Sequence, residues 1–215
     1  MIELLNIDCM EYMRGLEDKA FDLAIVDPPY GIKPLSVNEN RDPSSKYRRS
    51  MAKMVESAKD WNGSKPDDEY FKELFRVSKE QIVWGANNFI LPPTEYFCIW
   101  DKKQTVENFA SAEYAWVSMN TWKKPAKVFT YQIHAANAVE NKIHPTQKPV
   151  KLYKWLLTKY ANQGNKILDT HLGSGSSAIA AHSLGFDFVG CELDKDYYQA
   201  ACKRFKEQTA QIKLL

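Results

Sequence analysis

The sequence predicts an α/β protein with a mixed, mostly parallel sheet, and two stretches of the chain carry this prediction. Residues Lys166 to Gln211 have the pattern of a strand, a glycine turn, an alanine-rich helix, a second strand and a second helix. This βαβα order is typical of half of a nucleotide-binding fold. Near the other end of the chain, the apolar run Phe21 to Val26 is typical of a buried strand. We therefore expect residues 1–215 to form a single α/β domain.

The strand at Phe21 to Val26 ends in a segment whose residue types suit the binding of a flat amine, Asp27-Pro28-Pro29-Tyr30. The Asp27 carboxylate can accept one hydrogen of an exocyclic amino group, and the Pro28 carbonyl can accept the other. Proline fixes φ and has no N–H, so Pro28 and Pro29 direct their carbonyls outward. Tyr30 offers a face on which a nucleobase can stack. Taken alone, the segment also fits a plain turn, because Asp-Pro and Pro-Pro pairs commonly mark turns.

Charged residues are unevenly distributed along the chain, although the net charge is only +2. Residues 31–66 hold eight basic and four acidic side chains (+4), residues 101–160 hold ten and four (+6), and the first 30 residues carry −5. Basic loops near 31–66 and 118–146 are therefore expected to face a polyanion. The candidate contacts are Arg41, Lys46, Arg48, Arg49, Lys123 and Lys124. An ordinary solvated surface is the alternative.

The middle of the chain predicts further strands and then a helix. The β-leaning runs are Gln81 to Trp84, Tyr96 to Trp100, Ala112 to Val117 and Lys127 to Tyr131. Apolar residues at helical spacing follow Pro149, which suits the first turn of a helix. Thr146 and Lys148 precede that helix and can meet a carboxylate near its N-terminus, where backbone donors favour an anion. A capping segment with a solvated lysine is the alternative.

The glycine turn Gly173-Ser174-Gly175 follows a short strand and allows the backbone to approach a ligand closely. Glu192 ends the next strand, 17 residues beyond Gly175, near the offset expected for an acid that binds ribose hydroxyls. The turn alone fits a nicotinamide cofactor as well as another nucleoside cofactor. The amine-binding segment favours the second class, since hydride transfer has no evident use for it.

Together, the three segments resemble the β class of amino-methylating DNA methyltransferases of the small phage and bacterial type. The resemblance extends over nearly the whole chain and includes the opening Asn6 to Glu11, Trp84 to Phe89 and Trp100-Asp101-Lys102. It implies a Rossmann-like S-adenosylmethionine-dependent fold, DNA as the partner and transfer of a methyl group to a base flipped out of the duplex. An aspartate before the two prolines implies adenine as the target, with the exocyclic amine of cytosine as the alternative.

The resemblance also implies roles for individual residues. Asp27, Pro28, Pro29 and Tyr30 are the expected catalytic set, acting through hydrogen bonds and charge without a covalent intermediate. Asp8 is expected at the adenine of the cofactor. The expected cofactor-binding residues are Asp8, Asp27, Thr146, Lys148, Asp169, Leu172, Gly173, Ser174, Gly175 and Glu192.

The glycine turn departs from the pattern of that family, which usually begins Asp-Pro-Phe and ends in two threonines. This chain has Thr170-His171 and Ser176-Ser177 instead. We expect cofactor binding to persist, because serine keeps the hydroxyl and Leu172 supplies an apolar contact. A catalytically weak DNA-binding relative is the alternative.

Composition and residue spacing bear on whether the chain is a membrane, secreted, disulfide-bonded or metal-binding protein. No apolar stretch approaches the roughly 20 residues of a membrane span, and the acidic N-terminus lacks the basic start of a signal peptide. The four cysteines show neither close pairing nor metal-ligand spacing with the four histidines. We expect a cytoplasmic protein with reduced thiols and no metal, and the resemblance is compatible with a homodimer.

Overall fold

The computed structural model describes residues 1–31, 65–105, 110–118, 126–132, 140 and 142–210. Within these ranges the chain forms eight strands and five α-helices around one sheet. The strands are β1 (Ile2–Leu5), β2 (Phe21–Val26), β3 (Ser78–Trp84), β4 (Phe97–Asp101), β5 (Ala112–Val117), β6 (Lys127–Thr130), β7 (Lys166–Asp169) and β8 (Asp187–Cys191). The helices are α1 (Cys9–Arg14), α2 (Asp68–Val77), α3 (Val150–Tyr160), α4 (Ser176–Leu184) and α5 (Lys195–Ala210).

The eight strands lie in the order β1-β8-β7-β2-β3-β5-β4-β6. The five strands from β1 to β3 are mutually parallel, whereas β5 is antiparallel to both β3 and β4. At the far edge, β6 is parallel to β4. The prediction of a mixed, mostly parallel sheet is therefore confirmed.

Apolar side chains on both faces of the sheet bury it between two layers of helices. On β2, Leu23 and Ile25 pack in the cluster that includes α3 and α4. The alternating residues Ala24 and Val26 pack in the cluster that includes α1 and α2. Strands covered on both faces are typical of parallel sheets in α/β proteins, which explains why five of the six residues from Phe21 to Val26 are apolar.

Helix boundaries follow local capping rules. The Asp8 carboxylate accepts hydrogen bonds from the Met10 and Glu11 N–H groups at the start of α1. Asp67 caps α2 in the same way through the Tyr70 N–H. Helix α4 begins after Gly175, whose φ is +74°. A residue with a side chain would be strained in this backbone conformation.

The strands and helices predicted from sequence patterns are all present. Strand β3 begins three residues before the predicted Gln81, β4 is shifted by one residue to Phe97–Asp101, and β6 ends at Thr130 rather than at Tyr131. The predicted DNA contacts lie outside the described residues, namely Arg41, Lys46, Arg48, Arg49, Lys123 and Lys124. No helix in the described part of the chain has the length and apolar character needed to cross a membrane. The four cysteines are free thiols.

Candidate active site

A cavity of about 740 Å³ opens at the carboxyl ends of the central parallel strands. Loops that follow β1, β2, β7 and β8 form its walls, together with the segment before α3. Ligands of open α/β sheets bind at this edge of the sheet. The predicted site residues that line the cavity are Asp8, Asp27, Pro29, Thr146, Lys148, Leu172, Gly173, Ser174 and Glu192.

The segment Asp27-Pro28-Pro29-Tyr30 is held in shape by its own tyrosine and by Gly85, which directly follows β3. The Tyr30 hydroxyl donates a hydrogen bond to Asp27 Oδ1 at 2.5 Å. The Tyr30 ring lies against Gly85, where a Cβ atom would come within 2.0 Å of a ring carbon. Gly85 also has φ +65°, so a side chain there is excluded by backbone strain and by space.

Lys148 brings a buried positive charge to the same carboxylate. Its ammonium group donates a hydrogen bond to Asp27 Oδ2 and lies 3.1 Å from Glu113 Oε2. Burial alone would lower the pKa of Lys148, but the attraction of Asp27 and Glu113 outweighs it and the pKa lies well above its ordinary value. Lys148 is therefore a permanent cation beside Asp27 at neutral pH.

Glu113, on β5, is a member of the site that the sequence did not indicate. It also pairs with Lys102, whose ammonium lies 2.5 Å from Glu113 Oε1. Burial favours a raised pKa for Glu113, but Lys148 and Lys102 outweigh it and hold the pKa below its usual range. A single glutamate in a strand carries no sequence signal of this role, because Lys148 is 35 residues away.

The glycine turn is shaped by backbone hydrogen bonds to an acid from the neighbouring strand. The Gly173 N–H donates to Glu192 Oε2 at 2.8 Å, and the Asp194 N–H donates to Glu192 Oε1 at 2.9 Å. Gly173 and Gly175 both have positive φ, +52° and +74°. Each oxygen of an ionised carboxylate can accept a further hydrogen bond, so Glu192 keeps acceptor capacity toward the cavity. Burial raises the pKa of Glu192.

Asp8 and Asp169 lie at two other strand ends and differ in their exposure to the cavity. Asp8 lines the cavity while capping α1 through Oδ1. Asp169 is 1% exposed, lies beneath the turn and accepts hydrogen bonds from the Ser177 hydroxyl and the His171 N–H. It is not among the residues that line the cavity, and its direct contact with a cofactor stays a prediction.

A buried arginine joins the glycine turn to the start of α3. Arg204 Nη1 donates to the Ser174 carbonyl and the Ser176 hydroxyl at 2.8 and 2.9 Å. Its Nη2 pairs with Glu140, whose Oε1 accepts the Val150 N–H at 3.0 Å. Two segments that the sequence assigned to one site are thus connected by side chains that sequence patterns did not single out.

Comparison with known proteins supports an amino-methylating DNA methyltransferase. A family model described as DNA methylase matches residues 100–203. The type II methyltransferase M2.DpnII of Streptococcus pneumoniae is 37% identical over 149 residues, which is 69% of this chain and 50% of that protein. The chain spans about half the length of that relative.

Solved structures of other methylases share the fold of this DNA methylase. The M1.HpyAVI–SAM complex superposes with a TM-score of 0.55 at 19% identity, covering 95% of this chain and all of that one. The cytosine-N4-specific PvuII DNA methyltransferase gives a TM-score of 0.58 at 11% identity, covering 97% and 90%. Structural similarity at such low sequence identity establishes the fold alone. It confirms the expected methyltransferase fold.

The glycine turn of this DNA methylase departs from the usual pattern at His171, which forms an aromatic wall of the cavity together with Tyr70. His171 lies edge to face with Tyr70, with ring centroids 5.5 Å apart, and the Tyr70 and Thr170 hydroxyls are hydrogen-bonded at 2.6 Å. Burial lowers the pKa of His171 to about 4, so the ring is neutral at pH 7. A neutral His171 and Tyr70 both line the cavity, and neither was predicted.

The predicted segment before α3 forms the opposite wall in this methylase. The Thr146 hydroxyl lies 3.2 Å from His144 Nδ1, and the His144 ring packs edge to face on Tyr197, with centroids 4.4 Å apart. Burial and the charges of Lys148 and Lys142 lower the pKa of His144 to about 4. Thr146 therefore faces the cavity beside a neutral ring, whereas Lys148 reaches deeper to Asp27.

Proposed function

We propose that this protein transfers a methyl group from S-adenosylmethionine to the exocyclic amine of adenine in DNA. The observation that carries this proposal is the shared cavity. It brings the Asp27 carboxylate into the same space as Glu192 and the glycine turn, although their chain positions differ by about 165 residues. One part suits a base amine, and the other suits a nucleoside cofactor. The match to the DNA methylase family model and the similarity to M2.DpnII support both assignments.

The residues of the cavity fit the proposed cofactor. Glu192 offers carboxylate oxygens for ribose hydroxyls, and Gly173 allows close approach because it has no side chain and adopts φ +52°. Tyr70, His171 and Leu172 supply apolar and aromatic surface for the rest of the molecule. S-adenosylmethionine, when bound, supplies a methyl group that passes to the amine nitrogen as its carbon–sulfur bond breaks.

The chain activates the amine through hydrogen bonds and charge. An exocyclic amine is a poor nucleophile because its lone pair is delocalised into the aromatic ring. Asp27 and the Pro28 carbonyl accept the two amine hydrogens, which favours a pyramidal nitrogen with a localised lone pair. Positive charge develops on nitrogen during attack, and the Asp27 carboxylate stabilises it in a site shielded from water. The surplus proton of the product amine leaves toward the Asp27 carboxylate.

The choice of adenine rests on the aspartate that precedes the two prolines. Cytosine is the second candidate, because a cytosine-N4-specific enzyme shares the fold over 97% of this chain. Both bases present an amine of the same geometry to Asp27, so the mechanism is the same for either.

The remaining parts of the proposal concern partners and location. The basic segments near 31–66 and 118–146 are proposed to contact the DNA backbone, through Arg41, Lys46, Arg48, Arg49, Lys123 and Lys124. The proposal includes a homodimer, a cytoplasmic location and a role in restriction-modification. The cavity-forming part of the chain supplies the chemistry, and these basic segments supply phosphate contacts.

The function is tested by expressing the protein in methylation-deficient bacteria beside its Asp27→Ala variant. The DNA is digested to nucleosides and analysed by mass spectrometry for N6-methyladenine and N4-methylcytosine. Methyladenine is expected with the natural chain and none with Asp27→Ala. The matched control is Asp22→Ala, since Asp22 lies on the same strand but pairs with Lys79 and lies outside the cavity.

Each result bears on a different part of the proposal. Methylcytosine instead of methyladenine would keep the mechanism and overturn the choice of base. Undiminished methylation with Asp27→Ala would overturn the role of the carboxylate. No methylated base from a folded natural chain would overturn the enzymatic function in favour of a DNA-binding relative.

A further inference from the structure

Four charged side chains form a continuous line of ion pairs that ends at the proposed catalytic carboxylate. Lys102 contacts Glu113, Glu113 contacts Lys148, and Lys148 contacts Asp27. The groups come from the end of β4, from β5, from the segment before α3 and from the end of β2. Two cations and two anions alternate along this row of ion pairs, which we call the ion-pair line. Its net charge is therefore zero.

The position of Lys148 raises a difficulty for the proposed chemistry that Glu113 resolves. An ammonium beside Asp27 attracts its negative charge and weakens the carboxylate as an acceptor for the target amine. It also repels the positive charge that develops on the amine nitrogen during methyl transfer. Glu113 offers Lys148 a second carboxylate at 3.1 Å, in addition to that of Asp27. The charge of Lys148 is thus shared between two anions.

Glu113 is itself isolated from the cofactor side of the site. It is not among the residues that line the cavity, and its contacts are Lys102 and Lys148. Its side chain is 23% exposed and the Lys148 side chain is 3% exposed. Its influence on the reaction therefore passes through Lys148, in a region where charges are poorly screened.

We propose that Glu113 is a positioning residue for methyl transfer, which holds Lys148 between two carboxylates so that the charge of Asp27 remains available to the target amine. The inference rests on the proposed function of Asp27. It concerns Glu113, a residue that the proposed mechanism does not otherwise use. Loss of the Glu113 charge leaves the line with a net charge of +1 next to the reacting nitrogen. The transition state, which carries the developing positive charge, is then destabilised more than the bound substrates.

The test measures single-turnover methyl transfer from labelled S-adenosylmethionine to unmethylated genomic DNA, together with cofactor affinity. The first variant is Glu113→Gln, because glutamine is nearly the same size as glutamate and lacks its charge. We expect it to slow the chemical step about 10-fold or more, with cofactor affinity within about 2-fold. Glu113→Asp, which keeps the charge on a shorter stem, should recover part of the rate.

A double variant separates charge from structure. Glu113→Gln with Lys102→Met restores a net charge of zero, so it should transfer methyl groups faster than Glu113→Gln alone. A purely structural role predicts the opposite, because two lost contacts damage packing more than one. Lys103→Met is the matched control, since Lys103 is an exposed neighbour that pairs with Asp101, and it should leave the rate unchanged.

The possible results distinguish this inference from the function on which it rests. An active natural chain with an equally fast Glu113→Gln variant would overturn the inference alone. A slow Glu113→Gln variant that the second substitution slows further would also overturn it. If Glu113→Gln does not fold, Glu113→Asp and the double variant carry the test. Absence of methyl transfer by the folded natural chain would overturn the proposed function and the inference with it.

Discussion

Asp27 and Asp169 end neighbouring parallel strands, yet the protein surrounds them with opposite environments. Asp27 faces the cavity and pairs with the buried cation Lys148. Asp169 is buried beneath the glycine turn and accepts hydrogen bonds from neutral donors, the Ser177 hydroxyl and the His171 N–H. The first carboxylate is paired with a cation in the cavity, whereas the second shapes a backbone turn.

The two environments also differ in the distance along the chain over which they are assembled. The donors to Asp169 lie two and eight residues beyond it. In the ion-pair line, Asp27 contacts Lys148, which is 121 residues away along the chain, and Lys148 in turn contacts Glu113. A local arrangement can be encoded by a short motif, while a distant one depends on how the sheet is assembled. Substitutions that strike each environment separately can break or sharpen this contrast.

The largest effect is expected from Lys148→Met, which leaves Asp27 and Glu113 without their shared cation. Breaking a buried ion pair by removing one partner costs about 3 kcal/mol or more of stability. We also expect methyl transfer to fall about 100-fold, because the loss of the donor that orients Asp27 outweighs the removal of a positive charge beside the amine. Denaturant unfolding and single-turnover kinetics measure the two effects.

Lys151→Met is the control for that substitution. Lys151 lies three residues beyond Lys148, in the first turn of α3, is exposed and has its ammonium 4.9 Å from the centre of the Tyr131 ring. We expect a stability change within about 0.5 kcal/mol. Equal losses in the two variants would contradict a special role for the cation at Asp27.

An intermediate effect is expected from Gly85→Ala, which acts on the Asp27 environment through Tyr30. The added methyl group would overlap the Tyr30 ring, and so would displace the hydroxyl that binds Asp27 Oδ1. Misplacement of a reacting group by about 1 Å can cost 100-fold in rate, and we expect at least 10-fold here. Gly164→Ala is the matched control.

Gly164 separates backbone strain from displacement of the ring. Its φ is +84°, but a Cβ atom there would have no neighbour within 4 Å. Both variants should lose roughly 1 kcal/mol of stability from the strained backbone, while only Gly85→Ala should slow methyl transfer. A normal rate in Gly85→Ala would show that the position of Tyr30 is unimportant.

The last prediction concerns the pH dependence of stability at Asp169. Burial raises the pKa of Asp169 from 3.8 to about 7, so the folded chain retains a proton that the unfolded chain has lost in this interval. The free energy of unfolding contributed by this group should therefore fall as pH rises from about 4 to about 7. Asp169→Asn, which cannot titrate, should flatten that part of the pH profile measured by denaturant unfolding.

Asp22 provides a control of opposite sign for the pH experiment. The hydrogen bond from Lys79 lowers the pKa of Asp22, so its contribution to stability is lost as pH falls. Asp22→Asn should accordingly change the slope at the acidic end in the other direction. An Asp169→Asn variant with the slope of the natural chain would contradict a protonated Asp169.

Much of the fold and half of the site could be predicted from local sequence. The apolar run before Asp27 predicts β2, and the pattern Gly173-x-Gly175 followed by alanines predicts the turn and α4, because periodicity and glycine conformations are local properties. Glu192 was found by its spacing from Gly175. The positions of Glu113, Tyr70 and His171 in the site carry no comparable local signal.

The sequence by itself determined which residue types stand at the ends of the parallel strands, and hence that Asp27 and the glycine turn share one edge of a sheet. Only the tertiary structure decided which charges meet there. Lys148 reaches Asp27 rather than solvent because α3 packs on the face of β2 and β3, and Glu113 reaches Lys148 because β5 lies antiparallel beside β3. Ion pairs between distant segments depend on strand order and burial, and these are properties of the packed sheet rather than of any one segment.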